Sequence, residues 1–160
     1  MTGHATQPSP KAAGVCACMS LRKTARAVTR FFERVMAESG LHVTQFTLLQ
    51  ALARTGPMTL SALAERLVMD RTTLTRNLRP LIARRLVSVS PGADRRQHAV
   101  ALTERGREAF AATLSSWREA QSRFVMSLGE GAWSELLSGL DAAVEVARGV
   151  APKSAERAAP

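Results

Sequence analysis

The feature that narrows the fold most lies in the middle of the chain, where the spacing of apolar residues changes from helical to alternating. Residues 44–53 (TQFTLLQALA) form a short apolar helix with Thr44 placed to cap its N-terminus, and Gly56-Pro57 breaks it. In residues 59–67, Leu60, Leu63, Ala64 and Leu67 share one side of a two-turn helix. Asp70 then opens another helix, expected over residues 71–86, with a polar first turn and with Leu74, Leu78, Leu81 and Ile82 on one side. Two short helices joined by a tight turn, the second polar and basic, make a helix-turn-helix pattern. Next, Val87-Ser88-Val89 and His98-Ala99-Val100-Ala101-Leu102 alternate across a turn beginning at Pro91-Gly92, which predicts a β-hairpin with its tip at residues 91–97. A helix-turn-helix followed by a basic hairpin is a winged helix.

Long amphipathic segments flank this lobe. Leu21, Ala25, Val28, Phe32 and Val35 mark the seam of a first helix within residues 14–39, ended by Gly40, while Arg22, Arg26, Arg30 and Arg34 run down another face. Thr103 is placed to cap a second long helix over residues 104–128, whose seam holds Phe110, Leu114, Trp117, Gln121, Phe124 and Leu128. After a break at Gly129 and Gly131, Trp133, Leu136, Leu137, Leu140, Val144 and Ala147 repeat the pattern over residues 132–148. A lone helix cannot bury such a seam against itself. The first and last helices should therefore pack together, most economically with a second copy of the chain, the alternative being a monomeric bundle.

The expected organisation is mainly α with a small β-hairpin wing: a winged helix-turn-helix lobe over residues 41–103, and N- and C-terminal dimerisation helices over residues 14–40 and 104–148. Residues 1–13 and 149–160, rich in Pro, Ala and small polar residues, read as disordered tails. Aromatics are only 4% and Tyr is absent, so the core must be built from Leu, Val, Ala and Met, which suits helices.

A net charge of +9 on so small a chain points to a polyanionic partner. No apolar stretch reaches the roughly 18 to 20 residues that span a bilayer, no secretory signal is legible, and Cys16 and Cys18 are too close to staple a fold. The expectation is a cytoplasmic protein with no membrane partner. Enzyme chemistry is not expected: the sequence has no Gly-rich phosphate loop, paired metal-ligand spacing or nucleophile motif, and no cofactor is implied.

On the helix over residues 71–86, Thr72, Arg76, Arg79 and Ala83 face away from the leucines, with Thr73 and Pro80 flanking. Together with Arg71 and Thr75 they offer groups that read a major groove, since Arg pairs with guanine O6 and N7 and Thr touches thymine methyls or phosphates. The plainer alternative is a solvated charged face, which the adjacent basic hairpin disfavours. Arg95 and Arg96 at the hairpin tip suit a narrow minor groove. Asp94 beside them either orients an arginine by charge-assisted hydrogen bonds or simply favours the turn. Pro80 lies inside this helix on the side away from the leucines, where a mild bend is tolerable and leaves the angle past Asn77 open.

The run from Asp94 to Gly106 (DRRQHAVALTERG) resembles the wing signature of MarR-family transcriptional regulators, D-x-R, a strand, then L-T-x-x-G. Residues 41–49 (LHVTQFTLL) resemble the family's second helix, residues 60–67 its L-A-x-x-L helix, and residues 70–86 its recognition helix; the likeness covers residues 15–146. The resemblance implies a homodimer with interlocked terminal helices, a palindromic double-stranded DNA operator, and repression relieved by a small ligand or an oxidant. It also implies that an aromatic or anionic effector enters between the helical region and the DNA lobe, where Arg26, Arg30, His42 and Phe46 are the candidates. The alternative is a winged-helix RNA-binding or protein-interaction module with no effector response.

Cys16-Ala17-Cys18 has three open readings: inert thiols packed at a dimer seam, an oxidant sensor, or a soft-metal site. Helical residues two apart point about 200° from each other, so the two thiols can share a metal only if this end is extended or frayed. The oxidant-sensor reading draws on Arg22 and Lys23, the basic residues one turn on.

Overall fold

A computed structural model describes residues 14–91 and 98–149. Among the described residues, six α-helices and three strands follow in the order α1 (Ala17–Val35), α2 (Val43–Thr55), β1 (Met58–Thr59), α3 (Leu60–Arg66), α4 (Arg71–Ala83), β2 (Val87–Pro91), β3 (His98–Leu102), α5 (Glu104–Leu128) and α6 (Glu130–Ala147), with a 3₁₀ turn at Ala37–Ser39. The fold is a winged helix carrying long N- and C-terminal helices. The chain divides into two compact units, Met1–Trp117 and Arg118–Pro160, the division falling within α5. The first unit thus extends past the lobe expected to end at residue 103.

The core of the first unit is built mainly of leucine. Leu48, Leu49 and Leu52 from α2, Leu63 and Ala64 from α3, and Leu74, Leu78 and Leu81 from α4 meet Leu86 from the turn before β2 and Val87 and Val100 from the sheet. Each fully buried leucine contributes about 1.5–3 kcal/mol. The wing has one strand more than the alternation predicts. β1 pairs antiparallel with β3 through Met58 and Thr59, giving the order β1-β3-β2. Two residues are too short for period-two alternation to register, so this strand leaves no mark in the sequence. Pro91 does not begin the turn; it pairs with His98 as the last residue of β2. The hairpin tip with Asp94, Arg95 and Arg96 lies outside the described residues.

Helix ends differ from expectation in three places. The N-cap of α2 is His42, not Thr44. The cap is supplied from α1: Val43 N–H donates to Glu33 Oε1 at 2.9 Å, while Gln45 Oε1 accepts from His42 N–H at 3.2 Å. A carboxylate brought in from another helix leaves no local signal, and Thr44 is merely the nearest hydroxyl. The α4 helix ends at Ala83 rather than Leu86, and it runs through Pro80 to that point. Lastly, Gly131 lies inside α6, so the break is made by Gly129 alone, at φ +90°.

Both α3 and α4 close with the same motif. After α3, Met69 N–H donates to Ala64 O and Val68 N–H to Glu65 O; after α4, Leu86 N–H donates to Leu81 O and Arg85 N–H to Ile82 O. This is the Schellman pattern, whose penultimate residue adopts a left-handed conformation and is usually glycine. Here Val68 and Arg85 occupy it, at φ +52° and +56°. At the start of α5, Thr103 Oγ accepts from Gly106 N–H at 3.0 Å and donates to Arg85 O at 2.6 Å. Gly106 is required there, because a Cβ would stand 1.9 Å from Leu86 O.

In the second unit, Trp133 of α6 meets Phe124 edge-on at 5.9 Å. No residue of α6 is buried, and Leu137, Leu140 and Val144 are exposed.

A β-branched residue in the left-handed region is strained by about 1–2 kcal/mol, whereas glycine adds about 0.4–1 kcal/mol of unfolded-chain entropy. Val68→Gly should therefore raise the unfolding free energy by up to about 1 kcal/mol, a gain that urea titration would register as a higher midpoint at unchanged slope.

Candidate nucleic-acid interface

The second helix of the helix-turn-helix, α4, begins with a strong local cap. Thr73 N–H donates to Asp70 Oδ1 at 2.7 Å and the Thr73 hydroxyl donates to Asp70 Oδ2 at 2.7 Å. These bonds, the backbone one first, hold the Asp70 carboxyl below its ordinary range. Thr73 is thereby committed to the cap. The helix has no acidic residue in its first turn and carries Arg71 there instead. A positive side chain at the positive end of a helix dipole is favoured only when an anion lies near.

Burial of Leu74, Leu78 and Leu81 sets the rotation of the helix and leaves Arg71, Thr72, Thr75, Arg76 and Arg79 exposed. These five residues and Ile82 line a shallow cleft of about 590 Å³. Apolar spacing puts Ile82 on the leucine side; instead it is 42% exposed beside Arg79. At 100° per residue it sits at the margin of the apolar arc, where the pattern does not decide. Among the described residues no carboxylate pairs with Arg71, Arg76 or Arg79, whereas Arg107 and Arg123 each have a glutamate on their own helix. Thr75 Oγ donates to Arg71 O at 2.8 Å, which leaves its methyl and both of its lone pairs free.

The residues named for an effector do not form one open site. Phe46 is 1% exposed, stacked against Phe110 at 5.3 Å and Trp117 at 5.5 Å. His42 is exposed, with Nδ1 3.1 Å from Glu33 Oε2. It borders a second cavity of about 380 Å³ lined by Glu33, Met36, Ala37, Gly40, Leu41 and His42. Arg26 and Arg30 are exposed on α1 and do not line that cavity. Glu33 is the residue that sequence reasoning misses, since in the sequence it is one acid in an otherwise basic helix.

Cys16 is the N-cap of α1, its Sγ accepting from Met19 N–H at 3.5 Å, and Cys18 lies in the first helical turn. Both are free and exposed, so the chain by itself does not bury them. Among the described residues no group of three or more His, Cys, Asp or Glu side chains could hold a metal ion. Nor is any helix among them long and apolar enough to cross a membrane.

Comparison with known proteins agrees with this architecture. The MarR family model matches residues 39–97. A crystal structure of the M. tuberculosis transcriptional regulator MosR in complex with DNA is 36% identical, with a TM-score of 0.73 over 84% of this chain and 99% of that one. The chain belongs to the MarR family. It is therefore a DNA-binding transcriptional regulator rather than an enzyme. Bordetella bronchiseptica BpsR, from a study of the regulation of its DNA binding by 6-hydroxynicotinic acid, is 25% identical with a TM-score of 0.68 over 77% of this chain and 94% of that one. A mutant of E. coli MarR complexed with operator DNA shares the fold at 19% identity, with a TM-score of 0.70 over 77% of this chain and 89% of that one. No curated protein matches the chain.

The lowered Asp70 pKa carries a sign. A carboxylate depressed in the folded state stabilises above its unfolded pKa, and that contribution is lost as pH falls through the folded value. Asp70→Ala should therefore melt below wild type at pH 7, and the two melting curves should converge as the pH is taken down through and below the usual carboxylate range. A gap independent of pH would mean that charge plays no part in the cap.

Proposed function

We propose that this regulator is a cytoplasmic, homodimeric repressor that binds a palindromic operator, with one α4 in each of two successive major grooves. The observation that carries this reading is the row of Thr72, Thr75, Arg76 and Arg79 on one exposed face of α4, free of carboxylate partners among the described residues. Arg71, Thr72 and the helix N-terminus approach phosphate, Arg76 and Arg79 reach base edges, and Thr73 serves through its bond to Asp70. The hairpin tip extends the contact: Arg95 and Arg96 enter the minor groove and Asp94 orients one of them. The MosR complex with DNA supports the partner. The exposed Leu137, Leu140 and Val144 of α6 support dimerisation, since a second copy would cover them.

Arg76 tests the base-reading role. Arg76→Ala should weaken operator binding by about 1–3 kcal/mol and leave binding to random duplex nearly unchanged. Equal losses on both duplexes would make Arg76 a phosphate clamp.

Release from DNA is proposed to follow either a small anionic or aromatic ligand, with Arg26, Arg30 and His42 as contacts, or oxidation of Cys16 and Cys18. The regulation named for BpsR supports the first and the exposure of both thiols the second. In the oxidative route, hydrogen peroxide takes two electrons and two protons from the thiols, leaving a disulfide and two waters. Because Cys16 caps α1 and Cys18 lies in its first turn, the disulfide would unwind that turn and shift the dimer seam. Changing both cysteines to Ser should preserve operator affinity and abolish release by peroxide in a gel-shift titration. Release by peroxide despite the double substitution would assign the response elsewhere.

A further inference from the structure

The turn between α1 and α2 is held from two sides by residues distant in sequence. From α1, Glu33 takes Val43 N–H and His42 Nδ1 on its two carboxylate oxygens. From the far end of α4, Arg84 Nη1 donates to Gly40 O at 2.9 Å, across 44 positions of sequence. Arg84 is itself the C-cap of α4, and its backbone N–H returns to Pro80 O. Gly40 takes the left-handed conformation at φ +73° that ends the 3₁₀ turn, and Leu41 beside it is buried in the core. One carbonyl and one guanidinium thus link the turn that follows α1 to the end of α4.

We infer that Arg84 is a positioning residue for DNA binding: by tying the C-terminus of α4 to the α1–α2 turn, it sets the pose in which α4 presents Arg76 and Arg79. The chemistry suits the role. A guanidinium spans the gap with a charge-assisted bond to a neutral acceptor, so the tie can break and re-form without burying a charge. Arg84 acts through the backbone of Gly40 and not on a base or phosphate. Its loss should change affinity without changing the number of ions released on binding.

The inference rests on the DNA-binding reading, and its test separates the two. Arg84→Met removes the donor and keeps the length. It should reduce operator affinity about threefold to thirtyfold with an unchanged slope of log K against log salt, and Arg84→Lys should restore most of the loss. Glu33→Gln loosens the same turn from the other side, so combining it with Arg84→Met should cost less than the sum of the two. A slope reduced by about one per subunit would instead make Arg84 a phosphate contact, and strictly additive losses would deny the shared turn. In the free protein, Arg84→Met should speed amide exchange at residues 41–43 as well as 84–86. Faster exchange confined to residues 84–86 would overturn the tie even if no operator were bound.

Discussion

Leu74, Leu78 and Leu81 fix the rotation of α4, and what that helix offers to solvent follows from their burial. All three are at most 1% exposed. With each leucine contributing about 1.5–3 kcal/mol, turning the helix by one residue would sacrifice more than any single contact on its outer face could return. The chemistry of that face therefore depends on the core beneath it. Arginines and threonines stand outward because leucines at spacings of four and three stand inward. The cap at Asp70 adds the axial coordinate by fixing where the first turn begins.

The junction of sheet and helix is the second fixed point. Thr103 Oγ accepts from the first turn of α5 and donates to the carbonyl of Arg85, while Gly106 packs directly on Leu86 O. The end of α4, the start of β2 and the start of α5 thus meet at a single threonine. The L-T-x-x-G string identified by resemblance marks this junction: the threonine is a two-way hydrogen-bonding residue, and the glycine is the residue whose side chain would collide.

Most of the lobe is legible in the sequence because its signals are local and periodic. Leucine spacing places α3 and α4, Asp70 announces its own cap, and the alternation in residues 98–102 marks β3. What escapes notice depends on contacts between distant residues or on missing signals. The His42 cap is completed by Glu33, a neighbour only in space. The strand at Met58–Thr59 exists because β3 offers it an edge. Phe46 reads as available to a ligand because periodicity gives the face of a residue but not what covers it, and here two aromatic rings do. The sequence places the end of α4 three residues late because the usual stop signal, a glycine, is replaced by Arg85.

That replacement, repeated at Val68, affects how the lobe breathes. The segment from Val68 to Arg85 contains all of α4 and carries a left-handed non-glycine residue at each end. Local opening of the segment relaxes both residues, so the open form recovers strain that glycine would never have stored. The free energy separating folded α4 from its locally melted state is therefore smaller than its three buried leucines alone would imply. A helix bounded in this way carries a strained hinge at each end, and burial of its three leucines is what holds it against opening.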